Sequence, residues 1–126
     1  MRKVANLAKL TSTENAEHYS WGENCHGWFL LKDSDMHIIQ ERMPPGTQEK
    51  RHIHNRSRQF YVLRGELTII LEREIVRLRV GEGLEIEPGT AHQAQNNSGD
   101  EVEFIATSCS PKPQRPDGHT LARQYQ

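Results

Sequence analysis

Apolar positions along this chain fall in short bursts, each cut off within a few residues by a turn-forming pair or triplet. Residues 28–31 and 36–43 are two such bursts, separated by Lys32-Asp33-Ser34-Asp35 and ended by Pro44-Pro45-Gly46. The pattern predicts strand, turn, strand. Residues 59–64, Gly65-Glu66 and residues 67–72 repeat it, and residues 74–80 form the next strand candidate before Gly81-Glu82-Gly83. Residues 84–87 run into the turn Pro88-Gly89-Thr90, residues 92–95 leave it, and apolar alternation resumes over 102–106 after a polar turn at 96–100. No stretch keeps a 3.6-residue apolar period over the length a helix needs. Many short strands between glycine- and proline-bearing turns predict an all-β domain, a barrel or sandwich, because antiparallel sheets must close or cover their edges. Residues 1–20 read as a peripheral arm, with a weak strand signal at 4–7 and a polar stretch at 11–17. Residues 111–126 hold Pro111, Pro113 and Pro116 and few apolar groups, and read as a tail running over the surface.

Composition narrows the partners. A chain of 126 residues has the size of one domain, and its apolar content of 34% is low but clustered at 60–63 and 67–71, enough for a modest core. Sixteen Lys and Arg against seventeen Asp and Glu give a formal charge of -1 with no long block of either sign. That argues against nucleic acid and against an anionic membrane surface. Cys25 and Cys109 lie too far apart, and are too few, for a disulfide framework. The opening MRKVANLAKL lacks the uninterrupted apolar run of a secretion signal, and no segment approaches the ~20 apolar residues of a membrane helix. The expected location is the cytoplasm.

Seven histidines occur, and three of them form a pattern. His52 and His54 are two apart, so on extended chain their side chains leave one face ~6–7 Å apart and converge on a single ion, whereas a helix would splay them. His92 follows the Pro88-Gly89 turn, which can return the chain across the sheet to bring in a third imidazole. Three neutral imidazoles suit Zn, Fe, Ni, Co or Mn, with water or substrate completing the shell. His18, His26, His37 and His119 have no such spacing.

Two motifs built on these residues resemble those of the cupin superfamily. The first runs from Gly46 through His52, His54 and Gln59 to Gly65, and the second from Gly81 through Pro88, Gly89 and His92 to Asn96. Their order and spacing over residues 46–96 are far more specific than a histidine pair. The resemblance implies a small single-domain cupin, a double-stranded β-helix or jelly-roll barrel over residues 1–110, with 111–126 as its tail. It also implies His52, His54 and His92 as ligands of a divalent transition metal.

One departure bears on the chemistry. The family's first motif places a glutamate ligand after the second histidine with three or four residues between them, where this chain has Arg58 at one spacing and Gln59 at the other. Loss of an anionic hard ligand disfavours Mg and Ca and leaves softer transition metals preferred. An inward Gln59 could ligate through its amide oxygen; an inward Arg58 cannot ligate, but could clamp an anionic substrate or replace the metal outright. Phe60 and Tyr61 must face opposite ways, and periodicity does not say which lines the interior. The second motif has Glu87 where a proline is usual, with Pro88 and Gly89 retained.

Gln40, Gln93 and Gln95 are candidate polar pocket groups, and Glu41, Glu49 and Glu87 candidate general bases. Trp21 and Trp28 are read as packing residues. Proteins resembling small cupins include isomerases, epimerases, dioxygenases, decarboxylases and binding or storage modules, so the fold selects no reaction. The expectation is a metal-dependent enzyme, a dioxygenase or isomerase, acting on a small polar or anionic metabolite. The alternative is a small-molecule binding or sensing module without turnover. A homodimer is expected, since pairing sheets across a two-fold axis covers an exposed edge.

Overall fold

The computed structural model describes residues 7–110, which contain strands and turns and no helix. The expected arm strand at 4–7 and the tail at 111–126 lie wholly or largely outside the described residues. The strands are β1 (Glu17–Trp21), β2 (Cys25–Lys32), β3 (Met36–Met43), β4 (Ser57–Arg64), β5 (Leu67–Ile70), β6 (Ile75–Leu78), β7 (Gly83–Ile86), β8 (Gln93–Gln95) and β9 (Val102–Cys109). Every strand from β2 onward falls where the apolar bursts predict one. β1 does not, because three of its five residues are polar and exposed and only Tyr19 and Trp21 are half-buried, so it lies in the region read as an arm.

Two antiparallel sheets form. The larger has the order β1-β2-β3-β9-β4-β7, and the smaller β6-β5-β8. Neither sheet closes on itself, and the jelly-roll barrel expected from the motifs is corrected to an open two-sheet all-β architecture. The physical reason lies at the corner after β3. Pro44 and Pro45 offer no N–H to a ladder, and the chain that follows meets the smaller sheet only through isolated bridges, Gln48 with Gln95 and His52 with His92. Between those bridges the register slips by one residue, so residues 46–52 run beside β8 without becoming a regular strand.

The core lies between the sheets. β9, central in the larger one, alternates buried Val102, Phe104, Ala106 and Ser108 with half-buried neighbours along its whole length. β4 turns Phe60 and Val62 inward and Gln59, Tyr61 and Leu63 outward, and the smaller sheet answers with Leu67, Ile69, Leu78 and Ala94. Phe60 and Phe104 meet edge to face with centroids 5.7 Å apart.

Among the described residues five polar side chains are buried, and one of them is shut from solvent altogether. Asn96 has no solvent exposure. Its Nδ2 donates to the Met43 carbonyl at 2.9 Å and the Asp100 carbonyl at 2.8 Å, while its Oδ1 accepts from the Ser98 N–H at 3.0 Å and hydroxyl at 2.7 Å. The amide ties the end of β3 to the turn that leaves β8. Both cysteines are free thiols. Among the described residues no helix is long and apolar enough to cross a membrane.

Candidate metal centre

His52 and His54 alternate with exposed Arg51, Ile53 and Asn55, so both imidazoles turn to the same side, as extended chain requires. The backbones of His52 and His92 exchange two hydrogen bonds of 3.0 Å, and the Gly89 N–H donates to the His54 carbonyl at 2.8 Å. Gly89, at φ +82, makes the sharp turn that brings its strand back across this segment. Through these bonds the segment 89–92 is tied to both histidines of the first motif. The ring centroids stand 4.3 Å (His52–His54), 4.7 Å (His52–His92) and 5.4 Å (His54–His92) apart, and one nitrogen from each ring lies within 4.8 Å of the others.

Backbone carbonyls fix two of the tautomers. Nδ1 of His52 lies 2.7 Å from the Lys50 carbonyl and Nδ1 of His92 lies 2.9 Å from the Thr90 carbonyl. A carbonyl only accepts, so each Nδ1 carries the proton, and in the neutral ring Nε2 is the nitrogen with the free lone pair. Both Nε2 atoms are shut from solvent and have no hydrogen-bond partner. Burial pushes the His92 pKa down, with His52 and Arg58 adding to the effect against the Thr90 carbonyl. Burial, then Arg58 and the other two imidazoles, takes His54 down to about 4. His54 and His92 are therefore neutral at physiological pH, the form that binds metal. The free nitrogens of His52 and His92 fit a divalent ion, whereas the His54 Nε2 is engaged by a neighbouring guanidinium.

The neighbouring polar residues separate by strand parity. Arg58 shares the inner face of β4 with Phe60 and Val62, and its Nη1 donates to His54 Nε2 at 2.8 Å. Gln59 is exposed on the outer face opposite Glu85, so of the two alternatives left open by the sequence the amide ligand is the one set aside. Gln40 lies between buried Ile39 and Glu41 on β3, hence on the outer face, paired with Trp28. Gln93 and Gln95 turn away from buried His92 and Ala94, and the Gln93 amide is spent on the Glu49 carbonyl at 2.8 Å. The pocket roles expected of these glutamines are withdrawn.

The family profile for the cupin domain matches residues 39–108, more than half of the chain. The chain belongs to the cupin domain family. Among curated proteins there is no significant match. Solved structures share its fold: an RmlC-like cupin from Shewanella frigidimarina is 21% identical, with 87% of this chain and 95% of that one covered at a TM-score of 0.72. A protein from Thermotoga maritima described as a predicted oxalate decarboxylase is 19% identical over 82% of this chain and 100% of that one, at 0.73. A cupin 2 conserved barrel domain protein from Rhodopseudomonas palustris is 16% identical over 87% of both chains, at 0.68. At these identities the likeness concerns the fold alone.

This cupin departs from the family pattern by placing a guanidinium beside its histidines, and the structure shows how that cation is held. Glu41, on the inner face of β3, is almost fully buried and approaches Arg58 Nη2 at 3.8 Å. Tyr19 of β1 donates its hydroxyl to the other Glu41 oxygen at 2.9 Å. The tyrosine reaches that far only because Gly27 lies beneath it: a Cβ at Gly27 would sit 2.2 Å from the Tyr19 ring. Sequence reasoning does not find Tyr19 or Gly27, since neither belongs to a motif. Replacing a strand glycine by alanine ordinarily stabilises. Here Gly27→Ala is expected to cost about 2 kcal/mol by overpacking, and much less in a Tyr19→Ala background, a coupling that urea unfolding of the four variants measures.

A second acidic group faces the cluster. Glu49 Oε1 accepts the Ala94 N–H at 2.9 Å and lies 3.7 Å from His52 Nε2. Burial raises its pKa, opposed by His52, the Ala94 N–H and Arg58. Of the three carboxylates marked in the sequence, Glu41 and Glu49 reach this region.

Proposed function

We propose that this cupin holds a divalent transition metal through His52, His54 and His92, with Arg58 releasing the His54 Nε2 as the ion binds, and offers it to a small polar metabolite, as a metal-dependent enzyme. The observation that carries the reading is the pair of buried, unpartnered Nε2 atoms of His52 and His92, oriented by carbonyl bonds at their Nδ1 atoms. Neutral nitrogen donors without a carboxylate among them favour Zn, Fe, Ni, Mn or Co over Mg or Ca. Such an ion supplies Lewis acidity or an oxygen-binding position.

The chain's own residues set what surrounds that position. The Lys50 and Thr90 carbonyls hold the imidazoles in register, and Phe60 packs 6.2 Å from His92. Glu49 is the carboxyl placed to carry a proton at Oε2, since its Oε1 is engaged by the Ala94 N–H.

Elemental analysis of protein purified without a metal-affinity tag tests the reading. Near-stoichiometric transition metal is expected in the wild type, with His52→Ala losing most of it at equal folded fraction. A wild type that is metal-free and resists reconstitution with all five ions would end the proposal. Bound metal with metabolite binding but no product across a broad screen would replace the enzyme with a binding module.

A further inference from the structure

Arg58 carries a buried charge that the protein only half answers. Its side chain is 12% exposed, yet of its five N–H groups one makes a short bond, and that goes to a neutral imidazole, His54. Nε is shut from solvent and has no partner. The nearest carboxylate oxygen, on Glu41, stands 3.8 Å from Nη2, an ion pair too long for a hydrogen bond. Glu41 is also not free to close that gap, because Tyr19 holds its other oxygen at 2.9 Å. Burial keeps the Glu41 carboxyl toward its neutral form, which weakens its hold on the guanidinium further.

A buried guanidinium is retained at a cost unless an anion completes it. The imidazoles that share its surroundings supply none. We infer that Arg58 is the recognition residue for a small carboxylate, which binds beside the three-histidine cluster and takes over the Nη1–H that Arg58 otherwise donates to His54 Nε2. The geometry suits a carboxylate in particular, since a planar fork of N–H donors matches two carboxylate oxygens. The fork is also held in place: the Phe60 ring lies 5.5 Å from the guanidinium carbon, and Glu41, fixed by Tyr19 across Gly27, limits it from β3. The anion-clamp role that the sequence left open between two residues therefore falls to Arg58, because Gln59 faces outward.

This inference names the substrate class for the function proposed above and rests on that reading for the metal, but not for the carboxylate. Isothermal titration of malonate into metal-free and metal-loaded protein separates the two. Malonate is expected to bind the wild type in at least one of these states, and the neutral malonamide to bind at least tenfold more weakly. Arg58→Gln is expected to weaken malonate about thirtyfold or more, as for loss of one partner of a buried charge pair. Arg58→Lys, which keeps the charge and loses the fork, should fall between. Arg58-dependent binding to a protein that takes up no metal would uphold the carboxylate site and remove the metal centre. Equal malonate affinity of the wild type and Arg58→Gln, in protein that holds its metal, would overturn the carboxylate site alone. Equal affinity for malonate and malonamide in the wild type overturns it without any variant, should Arg58→Gln not fold.

Discussion

Asn96→Ala is expected to lower the unfolding free energy by about 4 kcal/mol, since a buried hydrogen bond is worth ~1 kcal/mol and orphaned buried groups cost more. The side chain makes four such contacts from a position with no solvent exposure. Alanine leaves the Met43 carbonyl without this donor where water cannot readily replace it. Asn96→Asp should fare no better, because the oxygen that replaces Nδ2 sets an acceptor against the carbonyls of both Met43 and Asp100. Urea denaturation gives the number. A loss below about 1 kcal/mol, within the range of an ordinary surface change, would show that the anchor is dispensable. Asn96 closes the second motif four residues after His92, so the same measurement tells whether that motif position serves the fold rather than the chemistry.

The second large effect is a dependence on pH. Burial, against the opposing pull of Arg58 and the Tyr19 hydroxyl, raises the Glu41 pKa to about 7. The ordinary glutamate value applies in the unfolded chain, so between roughly pH 4.5 and 7 the folded state keeps a proton that the unfolded state has released. The stability this proton provides is complete below the unfolded pKa and is lost as pH rises through the folded one. Glu41→Gln is neutral throughout and lacks that loss. The variant should gain on the wild type by roughly 2–3 kcal/mol between pH 5 and pH 8. His54, whose pKa moves the other way, contributes to both proteins alike and cancels in the difference. A difference that stays flat across this range would mean that Glu41 is ionised throughout.

The site was legible to the extent that strand parity could be anchored. His52 and His54 fix their own parity, because two residues two apart must share a side on extended chain, and His92 follows from the turn at Pro88-Gly89. Arg58 and Gln59 had no such anchor. The choice turned on whether Phe60 or Tyr61 entered the core, and both are aromatic; the structure buries Phe60 and thereby turns Arg58 inward. Gln40 and Gln93 were misplaced by the same single step of register. β1 stayed hidden because it holds no aliphatic residue and three of its five residues are polar and exposed, and the break after β3 because isolated bridges leave no periodic trace. Asn96, Tyr19 and Gly27 act through partners far away in sequence, and no local pattern announces them.

The passage of Tyr19 over Gly27 reaches beyond this molecule. A ring at position 19 and any side chain at position 27 compete for one volume, with the would-be Cβ only 2.2 Å from the ring. Related chains should therefore exchange bulk between these two positions. Glycine at 27 should accompany an aromatic residue at 19, and a larger residue at 27 should appear only where 19 has shrunk. Where the exchange has happened Glu41 loses its tyrosine, so chains with a filled position 27 should also have given up either the acid at 41 or the arginine at 58. Four positions scattered over forty residues of sequence would then drift as one inherited unit, which an alignment of relatives can confirm or refuse.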